Sequence, residues 1–341
     1  MLQIDPLKRP PNAELELAGS KSITNRALLI AALAEGKSTL SRALFAEDTL
    51  AMINCLQAFG IDIKHDHTTA TIAINGSGGE LKTPQKELWV RQSGTTARFI
   101  LPLSALVKAP IEVDGDNQIR SRPQHDLLLA LNELGVEIAH NGEMGHLPLT
   151  IDGSNLTVTD ISVSGETSSQ YLSALLLVGP CLPEKITLTL DENAVSTPYI
   201  QMTIEIMKAF GAQVDSSKPN SYTVHPTGYV GRDYEIETDA STASYFFAAA
   251  AASKGRVVVN GIGSNSIQGD LEFVEILQQM GAQTLIRPNS VEVTGPTRLD
   301  GIDVSMKNIS DTAPTLASIA PFASSPVRVT DIGFIQHKES D

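Results

Sequence analysis

Lys21-Ser-Ile-Thr-Asn-Arg-Ala-Leu-Leu29 joins a short turn of hydroxyls and cations to the start of an apolar run, and the juxtaposition returns four times. The later copies are Ser93-Gly-Thr-Thr-Ala-Arg-Phe-Ile100, Ser168-Ser-Gln-Tyr-Leu-Ser-Ala-Leu175, Asp239-Ala-Ser-Thr-Ala-Ser-Tyr-Phe246 and Asp311-Thr-Ala-Pro-Thr-Leu-Ala-Ser318. Measured on Ser22, Thr95, Ser169, Ser241 and Thr312, the spacings are 73, 74, 72 and 71 residues. A second signal keeps step: Phe59-Gly60, Leu134-Gly135, Phe210-Gly211 and Met280-Gly281 close amphipathic stretches at spacings of 75, 76 and 70. A fixed period of this kind is the mark of one supersecondary unit repeated, each copy burying its apolar face against its neighbours.

Within each period the same elements can be read. A capping-type turn opens an Ala- and Leu-rich helix that ends near a glycine such as Gly36, Gly179 or Gly255. A β-branched run follows, as in Arg256-Val-Val-Val259, Ile186-Thr-Leu-Thr-Leu190 and Pro326-Val-Arg-Val-Thr330. Next comes an amphipathic helix, such as 127–134 or 200–210, whose following glycine suits a left-handed C′ position before another strand. The unit is βαβαββ. Its first helix is apolar nearly all round, as in Ala27-Leu-Leu-Ile-Ala-Ala-Leu-Ala34, and so belongs in a core.

The bulk numbers bound the function. A chain of 341 residues suggests about two domains. Apolar content of 42% and charged content of 19% describe an ordinary globular protein with a sizeable core. A net charge of −14 speaks against a nucleic-acid partner, and no apolar run approaches the ~18 residues of a membrane span. Cys55 and Cys181 are too few for a disulfide framework or a metal cluster, so a reducing cytoplasm is expected. Met1-Leu-Gln-Ile-Asp-Pro6 lacks the basic-then-apolar pattern of a signal peptide.

Helix N-termini favour anions, because their free N–H groups and the macrodipole both attract negative charge. In an acidic chain, the cations gathered at these ends therefore stand out. Lys21 and Arg26 flank the first helix, Arg91 and Arg98 the second, and Arg120 and Arg122 lie in the following polar loop. Ser22, Thr24, Thr95, Thr96, Ser168, Ser169 and Gln170 add neutral donors, so the phased set points to one anionic site. Asp239 and Asp311 open the fourth and fifth helices as N-caps or bases, and Lys338-Glu339 is a further pair able to move protons. Other motifs carry less. Gly36-Lys37-Ser38 follows a helix instead of preceding one, and Ala31 stands where a P-loop needs its first glycine. His65-x-His67 reads as an exposed turn, and no Gly-x-Ser-x-Gly elbow is present.

These stretches, with Gly19-Ser20, Ser121-Arg-Pro123, Ser196-Thr-Pro-Tyr199 and His337-Lys-Glu-Ser-Asp341, resemble the 5-enolpyruvylshikimate-3-phosphate synthases in order along the whole chain. The resemblance implies an α/β fold, a two-domain inverted α/β barrel of βαβαββ repeats, six in the family and about four and a half here. It also implies transfer of the enolpyruvyl group from phosphoenolpyruvate to the 5-hydroxyl of shikimate 3-phosphate, without cofactor or metal, in a monomer. Carried over by residue, Lys21, Ser22, Arg26, Ser168, Ser169, Gln170, Ser196, Tyr199, Asp311 and Lys338 would hold shikimate 3-phosphate. Lys21, Gly94, Thr95, Arg122 and Gln170 would line the phosphoenolpyruvate site. Asp311 would take the 5-hydroxyl proton, while Lys21 and Glu339 would move the proton at the methylene.

There are departures from the family pattern. Arg91-Gln92 stands where the family has Gly-Asn, and Phe334-Ile-Gln336 replaces Asn-x-Arg. A sixth helix start would fall near residue 384, about 430 residues making six periods. The chain is therefore expected to be a truncated form with little or no turnover. Residues 19–236 are expected to form a complete domain of three units, and 1–18 plus 237–341 a second, incomplete one. Closure about the crossings between them would shield the reaction from water. Two other enzyme readings fit less well. The enolpyruvyl transferase acting on UDP-N-acetylglucosamine carries a reactive Cys where Gly115-Asp-Asn-Gln-Ile-Arg-Ser-Arg122 has none. RNA 3′-phosphate cyclase uses a His nucleophile. A substrate-binding fragment without turnover is the alternative from a different class.

Overall fold

The computed structural model describes residues 8–166, 168–191 and 194–338. Glu339, expected to move a proton, lies outside the described residues. The chain divides into two compact units. The larger holds Gly19–Ile236 with the segment from Gln336; the smaller holds the segment ending at Ala18 and Glu237–Ile335.

The larger unit contains three sheets of four strands, all built to one plan. In each, a first strand pairs in parallel with a second, which pairs antiparallel with a fourth, which pairs antiparallel with a third. The second sheet runs Leu88–Trp89, Pro110–Asp114, Leu149–Asp152, Glu137–His140, and the third Ile161–Val163, Ile186–Leu190, Ser221–Val224, Val214–Lys218. In the first sheet Lys37–Ser41 is followed by Thr71–Asn75 and Asp62–Asp66, and its parallel partner is Asp233–Glu235, from the far end of the unit. Side chains alternate across these strands, so Ile186, Leu188 and Leu190 face inward while Thr189 faces water. Each sheet thereby covers one side of a shared core.

The core itself is made by the helices between the parallel strands: Lys21–Leu33, Gly94–Ala105 and Gln170–Val178. From Ile23 onward every residue of the first is buried, and the second is buried throughout. A helix with no polar face can only be stable when enclosed on all sides. The amphipathic helices, Glu47–Ala58, His125–Glu133 and Pro198–Ala209, cover the outside. Each stops before a left-handed glycine, with φ of 88° at Gly60, 75° at Gly135 and 91° at Gly211. The sharp turn into the next strand needs that conformation, which costs a residue with a Cβ.

The smaller unit repeats the plan once in full, with Asn12–Glu16, Arg256–Asn260, Ser290–Thr294 and Gln283–Arg287 in one sheet. Asp303–Ser305 and Arg328–Thr330 form a parallel pair beside it. Its long helix, Ala240–Ser253, departs from the all-buried expectation. Tyr245, 59% exposed, and Ala249 face outward, because the sheet, helix Phe273–Gln279 and helix Ala313–Ile319 pack on its other sides. Other boundaries also shift. The strand expected from Pro326 begins at Arg328, and Lys254 rather than Gly255 takes the left-handed cap, at φ 60°. Gly179, at φ −48°, leads straight into a 3₁₀ turn.

Candidate active site

In the larger unit three helix N-termini are tied together by two buried arginines. Ser20 caps the first helix by accepting from the Ile23 amide at 3.4 Å, and Ser93 caps the second by accepting from Thr96 at 3.1 Å. Thr96 Oγ1 also donates to the Asp48 carbonyl. Lys21, on the first turn, forms an ion pair with Asp48 at 3.4 Å.

Arg26, five positions after Lys21, is fully buried. Its Nε donates to Thr203 Oγ1 at 2.7 Å and its Nη1 to the Ser22 carbonyl at 3.0 Å. The guanidinium carbon lies 5.3 Å from the Phe99 ring centre and 5.9 Å from that of Tyr199. Burial pulls its pKa down to about 10, with Tyr199 acting in the opposite direction. A buried cation surrounded by neutral partners is costly, and an anion close by would offset that cost. Among the described residues Nη2 has no hydrogen-bond partner, and neither does the buried hydroxyl of Ser196. Ser196 adopts φ 53°, a left-handed conformation that is strained for a serine. Strain and unsatisfied buried donors occur together at sites built for a guest.

Arg98 is the corresponding arginine near the start of the second repeat's helix. Its Nη1 donates to Gln170 Oε1 at 2.6 Å, comes within 3.5 Å of Ser168 Oγ, and its guanidinium carbon lies 5.2 Å from the Tyr171 ring centre. A guanidinium only donates, so the oxygen of Gln170 faces it and the amide nitrogen is turned to Thr95 Oγ1, 3.2 Å away. Thr95 accepts that bond and keeps its own proton as a donor. Tyr171, its pKa raised chiefly by burial, donates to the Pro123 carbonyl at 2.8 Å. Arg122, also buried, lies directly over Gly94, where a Cβ would meet Nη1 at 2.6 Å. Only glycine leaves room for the guanidinium there.

Ser22 and Tyr199 thus contact the buried guanidinium of Arg26, with Ser196 bonded through its carbonyl to the Tyr199 amide, while Ser168 and Gln170 contact that of Arg98, with Thr95 bonded to Gln170. Gly94 and Arg122 touch one another. Ser169 precedes the third helix and is buried. Lys338 is half-buried in the C-terminal segment grouped with this unit.

Asp311 belongs to the smaller unit, where it sits exposed in a 3₁₀ turn. Thr312 rather than Asp311 holds the N-cap position of the helix that follows, whereas Asp239 does cap its helix, accepting from the Thr242 amide at 2.7 Å. Arg120 is not one of the anion-facing cations. It chelates Asp114, with Nε donating to Oδ1 at 2.9 Å, and that carboxylate raises its pKa. Arg91 turns at φ 54° and lines a separate cleft with Trp89 and Asp116. His65 ends up in the strand Asp62–Asp66 and only His67 lies beyond it; both are exposed. Sequence reasoning missed Thr203, Ser173 and Asp48. The first two are neutral hydroxyls on buried helix faces, although Ser173 lies four residues after its repeat marker Ser169, as Arg26 does after Ser22.

A family model described as EPSP synthase (3-phosphoshikimate 1-carboxyvinyltransferase) matches residues 8–341. The chain belongs to that family. It is 42% identical over 341 residues to the 3-phosphoshikimate 1-carboxyvinyltransferase of Trichormus variabilis, covering 100% of this chain and 80% of the relative. Among solved structures it resembles EPSP synthase from Acinetobacter baumannii, with a TM-score of 0.83, 26% identity and coverage of 98% and 77%. The enolpyruvyl transferase NikO from Streptomyces tendae, at 16% identity and a TM-score of 0.73 over 94% and 75% of the two chains, shares the fold. The expected α/β class built from βαβαββ units therefore holds for this EPSP synthase family member. Among the described residues no helix is long and apolar enough to cross a membrane.

Proposed function

We propose that the chain binds shikimate 3-phosphate and phosphoenolpyruvate in the reaction of its family, transfer of the enolpyruvyl group to the 5-hydroxyl with release of phosphate. The observation that carries the reading is the pair of buried guanidinium clusters at converging helix N-termini, in a protein of net charge −14. Lys21, Ser22, Arg26, Ser168, Ser169, Gln170, Ser196, Tyr199, Asp311 and Lys338 hold shikimate 3-phosphate in this reading. Lys21, Gly94, Thr95, Arg122 and Gln170 hold phosphoenolpyruvate. The chemistry is addition followed by elimination. The 5-hydroxyl gives its proton to Asp311 and its oxygen adds to the enolpyruvyl carbon as the methylene gains a proton. Loss of that proton with phosphate then regenerates the double bond. Lys21 and Glu339 are assigned to the methylene proton. Fixed cations suit the charge that builds on phosphate and carboxylate. The free thiols of Cys55 and Cys181 are compatible with a reducing cytoplasm, and a monomer is part of the same reading.

A thermal-shift titration tests the reading. Stabilisation by shikimate 3-phosphate but not by UDP-N-acetylglucosamine is the expected result; at a ligand concentration of 100 Kd it amounts to about 2.7 kcal/mol. A cooperative melt that shikimate 3-phosphate leaves unmoved overturns it.

A further inference from the structure

Thr203 lies in the middle of helix Pro198–Ala209, on the buried face it shares with Ile200, Ile204 and Met207. A hydroxyl on such a face is destabilising unless its hydrogen-bonding capacity is used. Here it both donates and accepts. The oxygen is 2.8 Å from the Tyr199 carbonyl, 3.1 Å from Ser173 Oγ and 2.7 Å from Arg26 Nε. A threonine hydroxyl has one proton and two lone pairs. The carbonyl can only accept, so it takes the proton. The guanidinium can only donate, so it occupies one lone pair, and the threonine proton that is directed at the carbonyl also faces Ser173 Oγ, which accepts.

That arrangement fixes more than Thr203. With Nε held by Thr203 and Nη1 by the Ser22 carbonyl, two edges of the planar Arg26 fork are pinned at once. Rotation about the fork is thereby blocked, and Nη2 is the donor left unsatisfied among the described residues. The same hydroxyl bonds the Tyr199 carbonyl, which ties the guanidinium to the turn that carries Ser196 and Tyr199. Three helices, Lys21–Leu33, Gln170–Val178 and Pro198–Ala209, meet at this one oxygen atom.

We propose that Thr203 is a positioning residue for substrate binding: its hydroxyl oxygen sets the orientation of the Arg26 guanidinium toward the phosphorylated substrate. The proposal rests on the assignment of Arg26 to shikimate 3-phosphate. Thr203→Val keeps the shape of the side chain and removes the acceptor, orphaning Arg26 Nε–H. Thr203→Ser keeps the acceptor and gives up a methyl group.

The test has two arms on the full chain. In the first, the Arg26 Nε–H is followed by NMR in the free protein. Protection from solvent exchange is expected in the wild type and in Thr203→Ser, and its loss in Thr203→Val. A wild-type Nε–H that exchanges as fast as those of exposed arginines overturns the proposal, whether or not the valine variant folds. In the second arm, shikimate 3-phosphate is titrated calorimetrically. Thr203→Val is expected to bind at least about tenfold more weakly, the scale of one lost hydrogen bond to a charged donor, with Thr203→Ser within about threefold of wild type. Unchanged affinity in a folded Thr203→Val overturns the role of Thr203 alone. Absence of binding by the wild type overturns the substrate assignment and this role with it.

Discussion

At Gly94 the missing side chain is occupied by the Arg122 guanidinium, and the contact is too close for any Cβ. Gly94→Ala must displace a buried cation assigned to phosphoenolpyruvate while leaving the Arg26 cluster untouched. Calorimetry is expected to show phosphoenolpyruvate affinity about tenfold weaker, roughly 1.4 kcal/mol, with shikimate 3-phosphate affinity within twofold of wild type. Cys55 gives a second residue-level prediction. Burial pushes its pKa from an ordinary 9.0 up to about 12. Between those values the unfolded chain releases the proton first, so stability that is fully present below pH 9 declines as pH rises toward 12. Urea unfolding of wild type and Cys55→Ala at pH 8 and pH 10.5 checks it. The difference between the two is expected to shift against the wild type, by up to about 1.4 kcal/mol per pH unit. A pH-independent difference would count against the burial of this thiol.

Among the elements, the amphipathic helices that end at a left-handed glycine repeat most faithfully. Gly211 sits at φ 91° in open surroundings, its nearest neighbour being Val230 at 3.6 Å from an added Cβ. Gly211→Ala therefore isolates the backbone cost. Chemical denaturation is expected to show a loss of about 1 kcal/mol with an unchanged m-value. A neutral substitution would mean that the turn relaxes out of the left-handed region. These helices and glycines were legible in the sequence because period 3.6, period 2 and the glycine stop are all local signals. The clustering of Lys21, Ser22 and Arg26 was legible for the same reason, since all three fall within two turns of one helix. What was not legible depends on distant partners. Arg120 and Arg122 look alike in the chain, yet Arg120 chelates Asp114 across a short helix while Arg122 lies over Gly94. Thr203 carries no charge and breaks no pattern, so nothing local distinguishes it from an ordinary helix threonine. An aspartate before a helix suits either an N-cap or a base, and at Asp311 an intervening 3₁₀ turn puts Thr312 at the N-cap position.

For the molecule as a whole, the decisive pairing is the one between Lys37–Ser41 and Asp233–Glu235. It keeps all three sheets of the larger unit within residues 19–236. A polypeptide of those residues is expected to melt cooperatively, and a version ending before residue 233 to melt at lower temperature or without cooperativity, as followed by circular dichroism. Identical melts would mean that the parallel strand contributes nothing to the unit's stability. Gly19, at one crossing between the units, has no room for a side chain either, because a Cβ there would lie 1.9 Å from the Arg42 carbonyl.

The same pairing has a bearing on biosynthesis. A chain leaving the ribosome from its N-terminus makes Lys37–Ser41 early, but the strand that completes its sheet emerges almost two hundred residues later; the Arg232 amide and Ser38 hydroxyl that bond beside it are 194 positions apart. The N-terminal strand Asn12–Glu16 waits longer still, for Arg256–Asn260. At ~5–20 residues per second, that leaves an open strand edge for about ten to forty seconds. Throughout that interval the nascent chain offers bare backbone to any neighbouring strand, which makes it a natural client for chaperones that shield unpaired edges.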